Sequence, residues 1–175
     1  MSFRQTSSEI IHAGHVSTLY RRTFLHDDGE EVTREVTVTA GAVAVVAHDD
    51  EQVWLVRQPR EATGDPAMLE LPAGRRDVEG EPPLETAKRE LAEEIGKAAE
   101  DWQLLKTAHM SPGYSHDEIL IYLASGLRDE QLDSGENERI EIVTRPLAQI
   151  DALIEEVTDA KTLIGLYELR RVLGR

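Results

Sequence analysis

The stretch that decides the fold reads Arg-Glu-Leu-Ala-Glu-Glu-Ile-Gly, at residues 89–96. At about 100° per residue on a helix, Glu90, Glu93 and Glu94 fall within roughly one third of the circumference, and the apolar residues fall largely on another side. Clustered carboxylates repel one another. They are also the hard oxygen ligands that Mg²⁺ or Mn²⁺ requires. The octapeptide therefore predicts a divalent metal site on a helix, and the alternative is an ordinary solvated acidic face.

The residues before the octapeptide favour the metal site. Two prolines stand at the start of a predicted helix over residues 83–95, where a missing N–H costs nothing, and Gly96 is placed to end it. Upstream, the sequence Leu-Pro-Ala-Gly at residues 71–74 ends a strand and opens a glycine-bearing loop that returns to the helix. Such a loop places a backbone carbonyl near Ala73 opposite the glutamates. Arg89 precedes Glu93 by four positions, the spacing that allows an ion pair on one helix face.

The rest of the pattern predicts an α+β fold, specifically an α/β/α sandwich. A hairpin is predicted from residues 16–24 and 32–39 around the turn signal Asp27-Asp28-Gly29. The apolar runs 42–47 and 53–56 predict adjacent buried strands. The remaining predicted elements are a short strand at 68–71 within a loop over 64–80, strands at 103–107, 119–124 and 140–144, and helices at 146–157 and 161–173.

Composition and charge limit the partners. The chain has 175 residues, 19 basic and 34 acidic side chains, a formal net charge of −15 and no cysteine. We expect no nucleic-acid partner and no membrane partner, because this surface repels both phosphodiesters and anionic lipid and no apolar run is long enough for a span. The lack of cysteine excludes disulfides and thiolate chemistry, and with no signal-peptide pattern it favours a cytoplasmic location. A phosphate substrate would need local arginines or divalent cations.

The octapeptide and its surroundings resemble the signature of the Nudix hydrolases. Glu81 lies eight positions before Arg89, as that signature asks, and residues 89–96 match every fixed position. Two departures stand out. Six residues rather than five separate Gly74 from Glu81, which leaves the role of Gly74 open, and Lys97 occupies a position that is usually apolar.

A narrower resemblance points to the ADP-ribose pyrophosphatase subgroup. Pro112 lies sixteen residues after Gly96 within the sequence Met-Ser-Pro-Gly-Tyr-Ser-His-Asp-Glu, residues 110–118. Residues 56–60 and 69–74 are also similar to that subgroup. The resemblance implies that substrate is bound by Arg57, Arg60, Glu70, Pro112 and Gly113. Arg75 and Arg76, in the extended loop after Gly74, are further candidate phosphate contacts. The alternatives are a simple Ser-Pro-Gly turn and surface arginines.

The same resemblance implies the metal ligands and the base. The ligands would be Ala73, Glu90, Glu93, Glu94 and Glu138, holding Mg²⁺ or Mn²⁺. Glu136, in the late loop over residues 126–139, would act as general base, with Glu93 as a second catalytic residue. Glu93 and Glu118 are the next candidates for the base. The alternative is that this loop, which also contains Asp129, Glu130 and Asp133, is merely solvated.

Two domains and a homodimer are expected. Residues 1–39 would form an N-terminal antiparallel β-sheet extension that mediates dimerisation, and residues 40–175 the Nudix fold. Tyr20 or Phe24 would stack on adenine, or belong to a core. The implied reaction is Mg²⁺-dependent hydrolysis of ADP-ribose to AMP and ribose 5-phosphate. The alternatives are another nucleotide sugar such as GDP-mannose, a dinucleotide or damaged nucleoside triphosphate, and a Nudix-like binding module without catalysis.

Overall fold

A three-stranded antiparallel sheet begins the chain in the computed structural model, which describes residues 1–130 and 139–174. Its strands are adjacent in the order β1 (Phe3–Ala13), β2 (Thr18–His26) and β3 (Glu31–Val38). The predicted hairpin is confirmed: Gly29 adopts φ 88° in the turn and its N–H donates to the carbonyl of His26 at 3.0 Å. Strand β1 precedes this hairpin, and its antiparallel pairing with β2 continues from residue 13 to residue 3.

This sheet belongs to the first of two compact units. The first unit comprises Met1–Gly41 and His109–Glu118, and the second comprises Ala42–Ala108 and Ile119–Arg175. Within the first unit the segment after residue 109 is bound to β3. The N–H of Thr37 donates to the carbonyl of Tyr114 at 2.8 Å, and the N–H of His116 donates to the carbonyl of Thr37 at 2.9 Å.

The second unit is built on a mixed sheet. Its main path runs β10-β5-β4-β9-β8, with β6 paired to β5 and β7 paired to β4. Strands β4 and β9 are parallel, whereas β4 with β5, β4 with β7, β5 with β6 and β5 with β10 are antiparallel. The strands are β4 (Ala42–His48), β5 (Gln52–Arg60), β6 (Asp65–Glu70), β7 (Ala73–Arg75), β8 (Lys97–His109), β9 (Glu118–Asp129) and β10 (Glu141–Pro146).

Helices cover both faces of this sheet. Helix α1 (Pro83–Ile95) packs its Ala87, Leu91 and Ile95 against Val43, Val45 and Ala47 of β4. Helix α3 (Ala160–Val172) lies against the other face, because a methyl group at Gly165 would be 2.9 Å from the side chain of Val46. Strand β4 is fully buried from Val43 to Ala47, as expected of a continuous apolar strand enclosed on two sides. The predicted α/β/α sandwich is confirmed.

Two elements differ from the sequence-based expectation. Residues 73–75, expected to lie in a loop, form the short strand β7, which pairs with residues 42–44 of β4. Three residues are too few to show a strand period, so this pairing depends on the neighbouring strand. The predicted helix over 146–157 begins as a 3₁₀ turn (Leu147–Gln149) and continues as α2 (Ile150–Glu156).

A search of the described residues for a membrane-spanning helix finds none that is both long enough and apolar enough.

Candidate active site

Helix α1 carries the predicted metal ligands, and its ends follow from the sequence. Proline occupies its first turn, and Gly96 ends it in the left-handed conformation (φ 66°), with the Gly96 N–H bonded to the carbonyl of Ala92 at 3.0 Å. Glu94 is only 8% exposed because it lies beside the buried face of the helix. A carboxylate buried to this degree needs polar partners.

Strand β7 supplies one of those partners. The backbone N–H of Ala73 donates to Oε2 of Glu94 at 2.8 Å. The next residue, Gly74, faces Glu90 so closely that a Cβ on it would lie 1.9 Å from the Glu90 carboxyl carbon and 2.2 Å from Oε1. Two carboxylates of α1 therefore converge on the backbone of residues 73 and 74.

Arg89 pairs with two carboxylates of the helix and with Glu81, which precedes the helix. Its Nη1 donates to Oε1 of Glu90 at 2.7 Å and to Oε2 of Glu93 at 3.0 Å, and its Nη2 lies 3.4 Å from Oε2 of Glu81. The expected pairing of Arg89 with Glu93 is present. Partial burial acts to lower the pKa of Arg89, but the hydrogen bond to Glu81 and the charges of all three glutamates outweigh burial and raise that pKa. Arg89 thus stays charged and holds the carboxylates in place.

Glu81 is held from a second side by Thr86. The Thr86 hydroxyl donates to Oε2 of Glu81 at 2.8 Å. The hydrogen bond from Thr86, followed by that from Arg89, lowers the pKa of the Glu81 carboxyl. Glu81 is thereby hydrogen-bonded to the first turn of α1. The loop before α1 and the helix share one polar network through Glu81, Thr86 and Arg89.

The chemistry of this donor set fits a hard divalent cation. Glu90 and Glu94 offer carboxylate oxygens, and the peptide backbone of Ala73 lies beside them. Among the residues that the structure describes, no group of three acidic or histidine side chains is close enough to hold an ion without further donors. Backbone carbonyls, water and substrate phosphate oxygens would complete the coordination, which is usual for Mg²⁺.

Arg60, a predicted substrate contact, forms a bidentate ion pair with Glu70. Nε of Arg60 is 2.5 Å from Oε1 of Glu70, and Nη2 is 2.7 Å from Oε2. Lys161 of α3 also donates to Oε2 of Glu70, at 2.5 Å. The Glu70 side chain is 1% exposed, whereas that of Arg60 is 40% exposed. Glu70 is thus placed as the buried partner of Arg60, and Arg60 is the member of the pair that solvent reaches.

The other predicted basic contacts have acidic neighbours. Nη1 of Arg57 is 3.2 Å from Oε2 of Glu141 on the adjacent strand β10. Nη2 of Arg75 is 3.1 Å from Oδ2 of Asp77 in the same loop. Both side chains remain partly exposed, at 30% and 48%. Glu136 and Glu138 lie outside the described residues.

Pro112 and Gly113 line a cavity of about 460 Å³ that lies entirely within the first unit. Its walls combine aromatic rings and guanidinium groups. Phe24 lies in this wall, whereas Tyr20 does not and instead carries the guanidinium of Arg22 over its ring, 4.6 Å from the centroid. The residues that give the cavity this character are Arg22, Phe24, Arg34, Pro112, Gly113 and Tyr114.

Sequence reasoning missed the residues of α3 that reach the site. Lys161 contacts Glu70 although the two are 91 positions apart. Asp159 caps α3, accepting from the Thr162 N–H at 3.0 Å, and this aspartate was the only local signal available. A helix cap predicts where α3 begins. It does not predict which strand the helix end contacts.

Comparison with known proteins agrees with this fold. The NUDIX domain model matches residues 38–164, well over half of the chain. The chain therefore belongs to the Nudix family and is a Nudix hydrolase.

Relatives within the family resemble the chain over much of its length. An ADP-ribose pyrophosphatase of Mycobacterium tuberculosis is 45% identical over 128 residues, 73% of this chain but only 61% of that relative. An ADP-ribose pyrophosphatase of Bacillus subtilis is 33% identical over 94% of this chain and 90% of its own length. A crystal structure of an ADP compounds hydrolase superposes with a TM-score of 0.87 at 28% identity, covering 99% of this chain and 95% of that one.

Proposed function

We propose that this Nudix hydrolase cleaves the pyrophosphate bond of ADP-ribose to give AMP and ribose 5-phosphate. One observation carries the proposal: the carboxylates of Glu90 and Glu94 meet the backbone of Ala73 and Gly74 in the same unit that holds Arg60. The two glutamates and the backbone beside them suit a divalent cation, and the guanidinium of Arg60 suits a phosphate group. The names of the two relatives described above support ADP-ribose as the substrate.

The metal in this proposal is Mg²⁺, with Mn²⁺ as an alternative, and it would be held by Glu90, Glu94 and the Ala73 carbonyl. Glu93 and Glu138 are additional candidate ligands. When bound, such a cation neutralises the charge of a diphosphate and lowers the pKa of a coordinated water molecule. The contribution of the protein is to orient the ligands. Arg89 fixes Glu90 and Glu93, and the Ala73 N–H fixes Glu94.

Arg60 is proposed to bind a substrate phosphate. The Nε and Nη2 groups of Arg60 donate to Glu70. Among the described residues, no hydrogen-bond acceptor is paired with Nη1 of Arg60. The remaining N–H groups are suited to phosphate oxygens, which accept bidentate hydrogen bonds from guanidinium. Arg57 is proposed as a second basic contact, and Pro112 and Gly113 as contacts to the nucleoside.

Glu136 is proposed as the general base. A water oxygen attacks one phosphorus, its proton passes to the glutamate, and the bond from that phosphorus to the bridging oxygen breaks. The bridging oxygen leaves with the other phosphate, so that two phosphomonoesters form. Glu93 is the alternative base, although its carboxylate already accepts a hydrogen bond from Arg89. The assignment of Glu136 is supported by the resemblance of its loop to the family.

A homodimer mediated by residues 1–39, with residues 40–175 as the Nudix domain, is also proposed. Every residue of β1 is exposed, including the apolar side chains Phe3, Ile10 and Ile11. An exposed outer strand presents unpaired backbone N–H and C=O groups with which a strand of another chain can pair. Pairing with the same strands of a second copy would cover these side chains. The cavity lined by Phe24, Pro112 and Gly113 would then belong to a dimer.

A panel of nucleotide sugars tests the proposed reaction. Each compound is incubated with the protein and Mg²⁺, and a phosphatase then releases inorganic phosphate from any phosphomonoester formed. We expect the highest kcat/KM with ADP-ribose. A higher value with GDP-mannose or with a dinucleotide would reassign the substrate. Absence of hydrolysis across the whole panel would leave a Nudix-like binding module as the better description.

A further inference from the structure

Helix α3 reaches Arg60 through a network of four charged side chains, of which Arg60 is the solvent-exposed member. The quartet consists of Arg60, Glu70, Lys161 and Asp159, and its formal charges sum to zero. Lys161 bridges the two acids: its Nζ is 2.5 Å from Oε2 of Glu70 and 3.0 Å from Oδ2 of Asp159. The side chains of Lys161 and Asp159 are 13% and 16% exposed, so water screens their charges little.

We infer that Lys161 is a positioning residue that sets the orientation of the Arg60 guanidinium by fixing the carboxylate of Glu70. This inference rests on the proposed function, in which Arg60 binds a substrate phosphate. In this inference Lys161 acts through its contacts with Glu70 and Asp159 and not by touching substrate.

The geometry explains why a third partner matters. The plane of the Glu70 carboxylate determines the plane of the Arg60 guanidinium, because the two groups form a bidentate pair. Arg60 alone cannot hold that plane, since the two groups can rotate together. Lys161 donates from another element and removes this freedom. The positive charge of Lys161 also offsets part of the Glu70 negative charge. Glu70 therefore neutralises less of the Arg60 charge that would attract a phosphate.

Lys161 is itself anchored by its neighbours. Asp159 accepts hydrogen bonds from the Thr162 N–H at 3.0 Å and from the Thr162 hydroxyl at 2.6 Å. The same hydroxyl accepts from the N–H of Leu71 at 2.9 Å. The pairs Glu70 with Lys161 and Leu71 with Thr162 therefore connect the last residue of β6 and the residue after it to α3. Movement of α3 would change both connections at once.

Protonation states are consistent with this arrangement. Burial acts to raise the pKa of Glu70, but hydrogen bonds from Arg60 and Lys161, together with the Lys161 charge, lower it. The hydrogen bond to Glu70 in turn raises the pKa of Arg60. Glu70 is therefore ionised at neutral pH and accepts from both cations.

Kinetics of Lys161→Met provide the first test. Methionine retains much of the aliphatic volume and removes the ammonium. We expect KM for ADP-ribose to rise by about tenfold, with kcat changed by less than about threefold, because misplacing a binding group by about 1 Å is costly. Lys161→Arg is expected to restore most of the affinity. Lys106→Met, at an exposed position on β8, is the matched control and should leave KM unchanged.

A double-mutant cycle separates positioning from general support of the fold. In an Arg60→Lys background, which keeps the charge but loses the bidentate geometry, Lys161→Met is expected to raise KM by less than about twofold further. If Lys161 only stabilised the fold, Lys161→Met would lower the melting temperature by the same number of degrees in both backgrounds. It would also lower kcat by the same factor in both. That result would overturn the inference.

A third measurement does not depend on hydrolysis. The Nε–H resonance of Arg60 can be assigned in a ¹⁵N spectrum by its loss in Arg60→Lys. We expect a sharp signal in the unaltered protein, broadening in Lys161→Met and recovery in Lys161→Arg. An unchanged signal in Lys161→Met would overturn the positioning role even if ADP-ribose is hydrolysed. If the spectra change as expected but the protein does not hydrolyse ADP-ribose, only the proposed function is overturned.

Discussion

The carboxylate of Glu90 occupies the space that a Cβ at Gly74 would fill, with its carboxyl carbon only 1.9 Å from that position. This contact explains the glycine without any requirement for unusual backbone dihedrals. The extra residue between Gly74 and Glu81 does not displace it. The insertion is accommodated after β7, since residues 73–75 remain paired with β4 while the chain turns towards α1.

Gly74→Ala should therefore weaken metal binding. The new methyl group would lie 1.9 Å from the Glu90 carboxyl carbon, so that carboxylate must move. We expect the Mg²⁺ concentration for half activity to rise by about tenfold or more, because displaced ligands lose affinity on the order of 10–100-fold. Gly165→Ala is the control. Its methyl would crowd Leu71 in the core, at 2.5 Å, and should lower the melting temperature without changing the Mg²⁺ requirement.

Removal of the metal or of its ligands should abolish hydrolysis. Activity is expected to disappear in excess chelator and to return with Mg²⁺ or Mn²⁺. Glu90→Gln and Glu94→Gln should each lower kcat by about 10²-fold or more, because a bound cation supplies several kcal/mol of charge stabilisation. Glu85→Gln, an exposed position on the same helix paired with Lys88, serves as the control. Losses below about tenfold in both ligand variants would show that a different face of α1 binds the metal.

Glu136 and Glu138 should differ in their kinetic effects. Glu136→Gln is expected to lower kcat by roughly 10²–10⁴-fold with KM nearly unchanged, since a general base acts mainly in the transition state. Glu138→Gln should instead raise the Mg²⁺ concentration for half activity. Asp129→Asn is a control, because its side chain is 90% exposed and paired with Lys97. If Glu136→Gln matches the control, Glu93 and then Glu118 become the candidates for the base.

The buried Glu70 should make stability depend on pH. Its pKa in the folded protein is lowered from the usual value of 4.5, so ionised Glu70 stabilises the fold above that pH. This contribution is lost as the pH falls through the lower folded-state pKa. Urea unfolding of Glu70→Gln should show a loss of about 2 kcal/mol or more at neutral pH, which disappears in acid. Asp151→Asn, in an exposed pair with Arg170, should cost less than about 1 kcal/mol.

The outer strand of the N-terminal sheet should mediate dimerisation. Deletion of residues 1–39 is expected to abolish both the dimer and the affinity for nucleotide sugars. This deletion also removes the strand bonded to residue 114, so a point variant is the sharper test. Ile10→Asp should convert the protein to monomers in light scattering, whereas Tyr167→Asp, at a similarly exposed position on α3, should not. A monomeric, fully active intact chain would contradict the prediction.

The sequence by itself determined the elements whose signals are local. Helix α1 has the predicted bounds because prolines, apolar spacing and Gly96 all lie within fourteen residues of one another. The hairpin of β2 and β3 and the buried strand β4 were likewise predictable from turn residues and continuous apolar runs. The glutamates of residues 89–96 predicted a metal site, because their spacing alone places them on one helix face.

Only the tertiary structure decided which distant groups meet these elements. It placed Gly74 against Glu90, paired β7 with β4, and brought Lys161 to Glu70 across 91 positions. It also buried Glu70, for which the family resemblance implied a substrate contact, beneath Arg60 and Lys161. Periodicity reports which face of an element is apolar, but it carries no information about the partner of that face. That partner is set by the packing of helices on both faces of the sheet, a property of the whole chain.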